Sequence, residues 1–135
     1  LHLVGDAIPQ SSDTRISTHG MVDDVAPYYA CARVTITPIW WGAGIRVKIL
    51  EAWAFQRPVV TTTIGYSGLE EQAAAVIVAD TAAQFIDAVV RICTQPDTAA
   101  ALVTAGWDAV QPYRWEQVGA RVTTYYHQLL TEASP

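Results

Sequence analysis

Residues 42–60 read GAGIRVKILEAWAFQRPVV, and the first half of that stretch gathers Gly42, Gly44, Arg46, Glu51 and the chain's sole lysine, Lys48. Two residues without a Cβ let backbone amides approach an anion closely, and a helix starting directly after them aims its positive end at the same spot. Phosphate is the guest that suits such a loop. Arg46 would supply a bidentate fork and Lys48 a compact charge. Both fall in the first helical turn, where cations oppose the macrodipole, so a negative group is expected to compensate them. Glu51 lies on the same helical face as Lys48, in an apolar setting of Ile49, Leu50, Ala52 and Trp53. A buried carboxylate needs partners. Two stand open: the vicinal diol of a ribose, as acidic residues bind in dinucleotide sites, or an ion pair with Lys48 that satisfies both groups.

The elements that must position these residues alternate between strand-like and helix-like patterns. Residues 1–5 read as a strand ended by Gly5, and 15–19 as a second strand closed by Gly20. MVDDVAPYYACARV reads as a turn and a short helix, with Asp23 or Asp24 as N-cap and Tyr28, Tyr29 and Cys31 supplying bulk. VTITPI is a third strand, rich in β-branched residues. Residues 46–55 form a helix with hardly a polar face, the mark of a buried element. PVVTTT follows as a fourth strand with Pro58 first, where a missing donor does least harm. IGYSG reads as a turn and AAAVIVAD as a fifth strand, apolar enough to be covered on both faces.

Asp80 or Thr81 then caps a helix over TAAQFIDAVVRICTQ. Pro96 opens another helix, which is predicted to end at Ala105 with Gly106 as its C-cap. A short turn over 107–110 is stopped by Pro112, and a last helix spans 115–130. Strands alternating with helices at this spacing predict an α/β fold: a Rossmann-like, doubly wound, mostly parallel sheet flanked by helices. Ligands of such sheets bind beyond the carboxyl ends of the strands, and residues 40–46 leave the third strand there. The whole chain, 1–135, reads as a single domain.

Composition narrows the function classes. The 135 residues are 51% hydrophobic, enough for a buried core. Eight basic against thirteen acidic side chains give a formal charge of −5, with no basic stripe, so nucleic acid is not an expected partner. Charged or turn residues interrupt every apolar run, so no membrane span is expected. Cys31 and Cys93 lack CxxC spacing and sit in apolar helical contexts, so they read as buried free thiols, which suits the cytoplasm.

The stretch from His19 to Leu69 resembles the donor-binding half of the GT-B glycosyltransferases, in particular family 4, also called group 1. The likeness runs from LVGD at residues 3–6 to YRW at 113–115, and its most specific part is GxGxRxKILEAxAxxxPVV from Gly42 to Val60. It implies a C-terminal, sugar-nucleotide-binding domain, with Glu51 at the place of the family's ribose-binding glutamate. Gly42, Ala43 and Gly44 would face the diphosphate and donor sugar, with Arg46 and Lys48 beside them. Gly20, Met21 and Val22 would lie by the base. It also implies transfer of a hexose from a nucleoside-diphosphate sugar with retention of configuration and without a metal or other cofactor. Positive side chains and the helix dipole would stabilise the leaving diphosphate instead.

The sequence departs from the family's pattern in three places. Ala43 stands where the first of two family glutamates falls, and Ser67 where a glutamate is common. The chain also starts at what would be the second strand of the donor domain. It therefore reads as a fragment lacking that domain's first strand and the N-terminal acceptor domain, and is expected to be inactive alone. A noncatalytic Rossmann-like binding or interaction module is the rival reading.

The remaining chemistry-bearing residues have blander explanations. His19 ends a strand, where a lone histidine is more often a hydrogen-bonded structural residue. His2 and His127 show no partner in the sequence. Trp40 and Trp41 could line a sugar pocket, but large aromatics usually fill a core or a domain interface, which is the expectation here. Adjacent Asp23 and Asp24 are explained by capping rather than by a metal. GAGIRV has Val47 in place of the third glycine of GxGxxG, and GYSGL has Leu69 where a GxSxG elbow needs glycine.

Overall fold

The structure, a computed structural model, describes residues 1–6, 8–42, 44 and 46–132. The chain divides into two compact units, Leu1–Ala32 and Arg33–Pro135.

In the first unit β1 (His2–Val4) pairs in parallel with β2 (Ser17–His19), placing His2 opposite Ser17 and Val4 opposite His19. Asp13 turns the chain into β2 by accepting from the Arg15 backbone at 2.9 Å and from its guanidinium at 2.6 Å. Helix α1 (Ala26–Cys31) begins with Val25 as N-cap. The expected aspartate cap is displaced by one residue: the Asp24 carboxylate accepts from Ala26 N at 2.8 Å. No residue of this helix is buried, so Tyr28, Tyr29 and Cys31 do not form a core there.

The second unit holds a three-stranded parallel sheet in the order β3 (Thr35–Thr37), β4 (Val59–Thr61), β5 (Val76–Val78). All three residues of the central strand are buried. Val60 packs with Ala79, Ala88, Ile92 and Leu102, while Val59 and Thr61 face the other way by the two-residue period of a strand. This is the double-sided cover that a parallel strand requires.

Helix α2 (Val47–Ala54) follows the glycine loop and buries Ile49, Ala52 and Trp53. It ends in a Schellman motif: Arg57 N donates to Ala52 O at 2.8 Å and Gln56 N to Trp53 O at 2.9 Å. Gln56 takes the left-handed conformation, φ 55°, that glycine usually supplies. The IGYSG turn is partly helical, as α3 (Thr63–Tyr66), with Thr62 as an N-cap that accepts from Gly65 N at 2.9 Å. The predicted fifth strand is shorter than its apolar run, because Glu70–Ala75 wind into a 3-10 segment before Val76.

Helix α4 (Ala82–Thr94) starts at Thr81 in a capping box with Gln84. Helix α5 (Pro96–Val110) runs straight through Gly106, which is buried mid-helix rather than a C-cap. The reason is close packing: a Cβ on Gly106 would lie 2.5 Å from Cδ1 of Trp53. Trp53 is itself fully buried, and its indole N–H donates to Ala75 O at 3.0 Å. After a 3-10 turn at Gln111–Tyr113, α6 (Trp115–Glu132) is exposed along almost its whole length. No helix among the described residues is long and apolar enough to cross a membrane.

Cys31 and Cys93 are free but exposed, not buried. Each lies on the outward side of its helix, which an apolar neighbourhood in sequence does not reveal. Trp40 and Trp41 are likewise 44% and 82% exposed, so neither is a core residue. Trp40 meets the Phe85 ring at a centroid distance of 6.4 Å.

Candidate functional site

The loop between β3 and α2 lies at the carboxyl edge of the sheet, where the fold places ligands. Gly42 and Gly44 have φ of 126° and 108° and are exposed, with open space where a Cβ would be. Their need for glycine is therefore conformational, since side-chain-bearing residues rarely adopt such angles. Ala43 lies outside the described residues.

Arg46 is the N-cap of α2, and no side chain caps that helix start. Its first turn contains no acidic residue, so nothing there offsets the positive end of the helix. Arg46 is 9% exposed. Its Nη2 donates to the carbonyl of Ile64 at 2.7 Å and, more weakly, to that of Gly42 at 3.4 Å. Its Nε is buried without a hydrogen-bond partner. Its hydrogen-bond acceptors are these two main-chain carbonyls, and neither the Asp13–Arg15 nor the Arg114–Glu116 ion pair involves it, so this guanidinium is buried against carbonyl oxygens. That is an unusual state for a charge, because burial without a counter-ion is costly.

Lys48 is exposed and Glu51 half-buried. They form no ion pair with each other, and Glu51 makes a different interaction within the chain. Gly20 and Met21 are exposed and Val22 half-buried, all within the first unit.

The three loops at the sheet's carboxyl edge are tied together by groups far apart in sequence. The Thr62 hydroxyl donates to Ile39 O across to the loop after β3. After β5, the Asp80 carboxylate accepts from Thr63 N at 2.8 Å and from the Thr63 hydroxyl at 2.7 Å. Those bonds, the backbone one first, hold its carboxyl below the usual carboxylate range. Gly65 fits against this knot only because it has no side chain: a Cβ would sit 3.0 Å from Thr37 O and from the Thr62 hydroxyl. Tyr66 is buried beside it, and burial, then the charge of Glu70, pushes its phenol up.

Sequence reasoning did not find α3 as the support of Arg46, nor Asp80 as the anchor of α3. The Thr62 N-cap lay inside PVVTTT, which reads as strand, although a threonine before a short helix is a standard start that could have shown it. The Arg46–Ile64 and Thr63–Asp80 contacts left no local signal. A cavity of about 240 Å³ lined by Ala74, Ile77, Arg91, Thr98, Ala101 and Leu102 shares no residue with the glycine loop.

Parallel strands joined through helices, with a glycine loop opening a helix at their carboxyl edge, define a Rossmann-like α/β protein. The family described as Glycosyl transferases group 1 matches residues 1–95, and the chain belongs to that family. In structure the chain is similar to a sucrose-phosphate synthase from Thermosynechococcus elongatus, with a TM-score of 0.79 at 23% identity. The match covers 98% of this chain and 39% of that one, so this chain spans well under half of the synthase's length. At that identity the likeness speaks for the fold. No curated protein matches the chain in sequence.

Proposed function

We propose that the chain is the donor-binding domain of a family 4, GT-B glycosyltransferase, which transfers a hexose from a nucleoside-diphosphate sugar with retention of configuration. The observation that carries the reading is Arg46, nine-tenths buried against main-chain carbonyls and with a free Nε. It stands at an uncapped helix start directly after two glycines of positive φ. A diphosphate would supply the negative charge that this arrangement lacks. Gly42 and Gly44 would present backbone amides to it, Lys48 would add a solvent-side charge, and Glu51 would accept from the ribose hydroxyls. These positive groups and the helix dipole would take up charge developing on the leaving diphosphate, with no metal required for that role. The acceptor would be bound by an N-terminal domain belonging to a longer protein, which would complete the enzyme.

The test is an NMR titration of the chain with UDP, GDP and ADP, repeated on Lys48→Ala and Glu51→Ala. Saturable shifts concentrated at residues 42–51 and weakened by both substitutions are expected, and the tightest nucleotide identifies the base. A chain that ignores all three nucleotides would overturn donor binding and favour a noncatalytic module on the same fold.

A further inference from the structure

Both ends of the glycine loop are fastened to the same short run, residues 62–64. Where the chain leaves β3, Ile39 O accepts from the Thr62 hydroxyl. Where it enters α2, Arg46 donates through Nη2 to Ile64 O at 2.7 Å. Between those two anchors, Thr63 N and the Thr63 hydroxyl donate to separate carboxylate oxygens of Asp80, at 2.8 and 2.7 Å. Asp80 stands in the loop after β5, at the opposite edge of the sheet from β3. Its own N–H donates to Gln84 Oε1 at 2.8 Å, which ties it to the capping box of α4. Helix α3 has only four residues, too few to hold its place by its own hydrogen bonds. Asp80 supplies what that helix lacks, a carboxylate at its N-terminus.

We propose that Asp80 is a positioning residue of the donor site, which fixes α3 and through it the two carbonyl–donor contacts that hold the ends of the glycine loop. The inference rests on the donor-binding reading above. Asp80 acts on the ligand only through α3: with the helix fixed, Ile64 O holds the Arg46 guanidinium in one orientation before a diphosphate arrives. Groups ordered in advance need not be ordered on binding, and affinity gains accordingly. The charge of Asp80 works in the opposite sense, since a carboxylate repels a diphosphate. The direction of the mutational effect therefore separates the two roles. If positioning dominates, removing the side chain weakens binding, and if charge dominates, removal tightens it.

The experiment is titration of the chain with UDP, GDP and ADP, followed by 15N NMR, on the wild type, Asp80→Ala, Asp80→Asn and Ile92→Val. Ile92→Val thins the core packed with Val60, so it lowers stability without touching α3. Asp80→Ala should weaken the bound nucleotide about tenfold, the cost of ordering one long side chain, and should broaden the Arg46 guanidinium signals. Asp80→Asn keeps an acceptor for Thr63 N and offers an amide donor to the hydroxyl oxygen, so affinity should stay within about threefold of the wild type. Ile92→Val should change neither readout. Circular dichroism checks folding, and Thr63→Val, which removes one of the two bonds to Asp80, gives the same comparison should Asp80→Ala not fold. Unchanged affinity in Asp80→Ala, or tighter binding in both Asp80 variants, would overturn the inference and leave donor binding standing. An equal loss in Ile92→Val would reduce the effect to stability and overturn it too. A wild-type chain that takes up none of the nucleotides would overturn the donor reading itself, and the role of Asp80 with it.

Discussion

Arg46, the residue that caps α2, donates through its guanidinium to the main-chain carbonyl of Ile64 in α3, 2.7 Å away and eighteen positions on. The glycine loop is thereby held against the element that leaves the next strand, so Arg46 shapes the candidate site as well as charging it. Arg46→Met should lose about 1.5–3 kcal/mol of stability, the usual worth of a hydrogen bond to a charged group. It should also weaken nucleotide diphosphate binding. Urea denaturation and the nucleotide titration measure the two losses, and a variant of unchanged stability would refute the bracing role.

Two helical glycines should respond in opposite directions to the same substitution. Gly106→Ala places a Cβ 2.5 Å from the buried indole of Trp53, and overpacking costs about 1–3 kcal/mol. Gly119→Ala in the exposed helix α6 meets nothing within 4 Å and should stabilise by up to about 1 kcal/mol through helix propensity alone. Thermal or urea midpoints of both variants decide the matter, and equal responses would mean that the Trp53 contact is soft.

Gln56 closes α2 in a left-handed conformation, which costs a side-chain-bearing residue roughly 1–2 kcal/mol. Gln56→Gly removes that cost while increasing the freedom of the unfolded chain, which offsets part of the gain. A net rise of about 0.5–1 kcal/mol is expected in the denaturation midpoint. Gln56→Val should do the reverse, since a β-branched side chain suits positive φ least.

Asp80 accepts two hydrogen bonds from Thr63, and its carboxyl is held low by them. A group whose folded pKa is depressed contributes stability that is fully present above its unfolded value and is lost as pH falls through the folded one. The contribution should therefore be constant at neutral pH and fade below about pH 4. Asp80→Asn should lower stability at pH 7 and flatten the acid limb of the stability–pH curve. An acid limb identical in the variant would assign that limb to Asp13, Glu70 and Glu116, whose carboxyls are also held low.

Strand and helix order, the parallel pairing and the placement of the glycine loop were legible in the sequence, because each follows from short-range patterns. Alternating apolar runs of strand and helix length, Pro58 and Pro96 at element starts, and Thr81 with Gln84 all act within a few residues. The same local reading failed where a distant partner decided the outcome. Gly106 looks like a helix stop until Trp53 is packed against it. The cysteines look buried until the helices are oriented.

The chemistry divides in the same way. Sequence alone determined that Gly42, Gly44, Arg46, Lys48 and Glu51 share one loop and one helix start, since positions that close cannot separate. Tertiary structure decided what they do there. It buried Arg46 against the Ile64 carbonyl, left Lys48 in solvent without Glu51 as its partner, and brought His2 to His19 from two strands. Those outcomes depend on desolvation and on contacts between chain segments distant in sequence, which no local pattern of residues encodes.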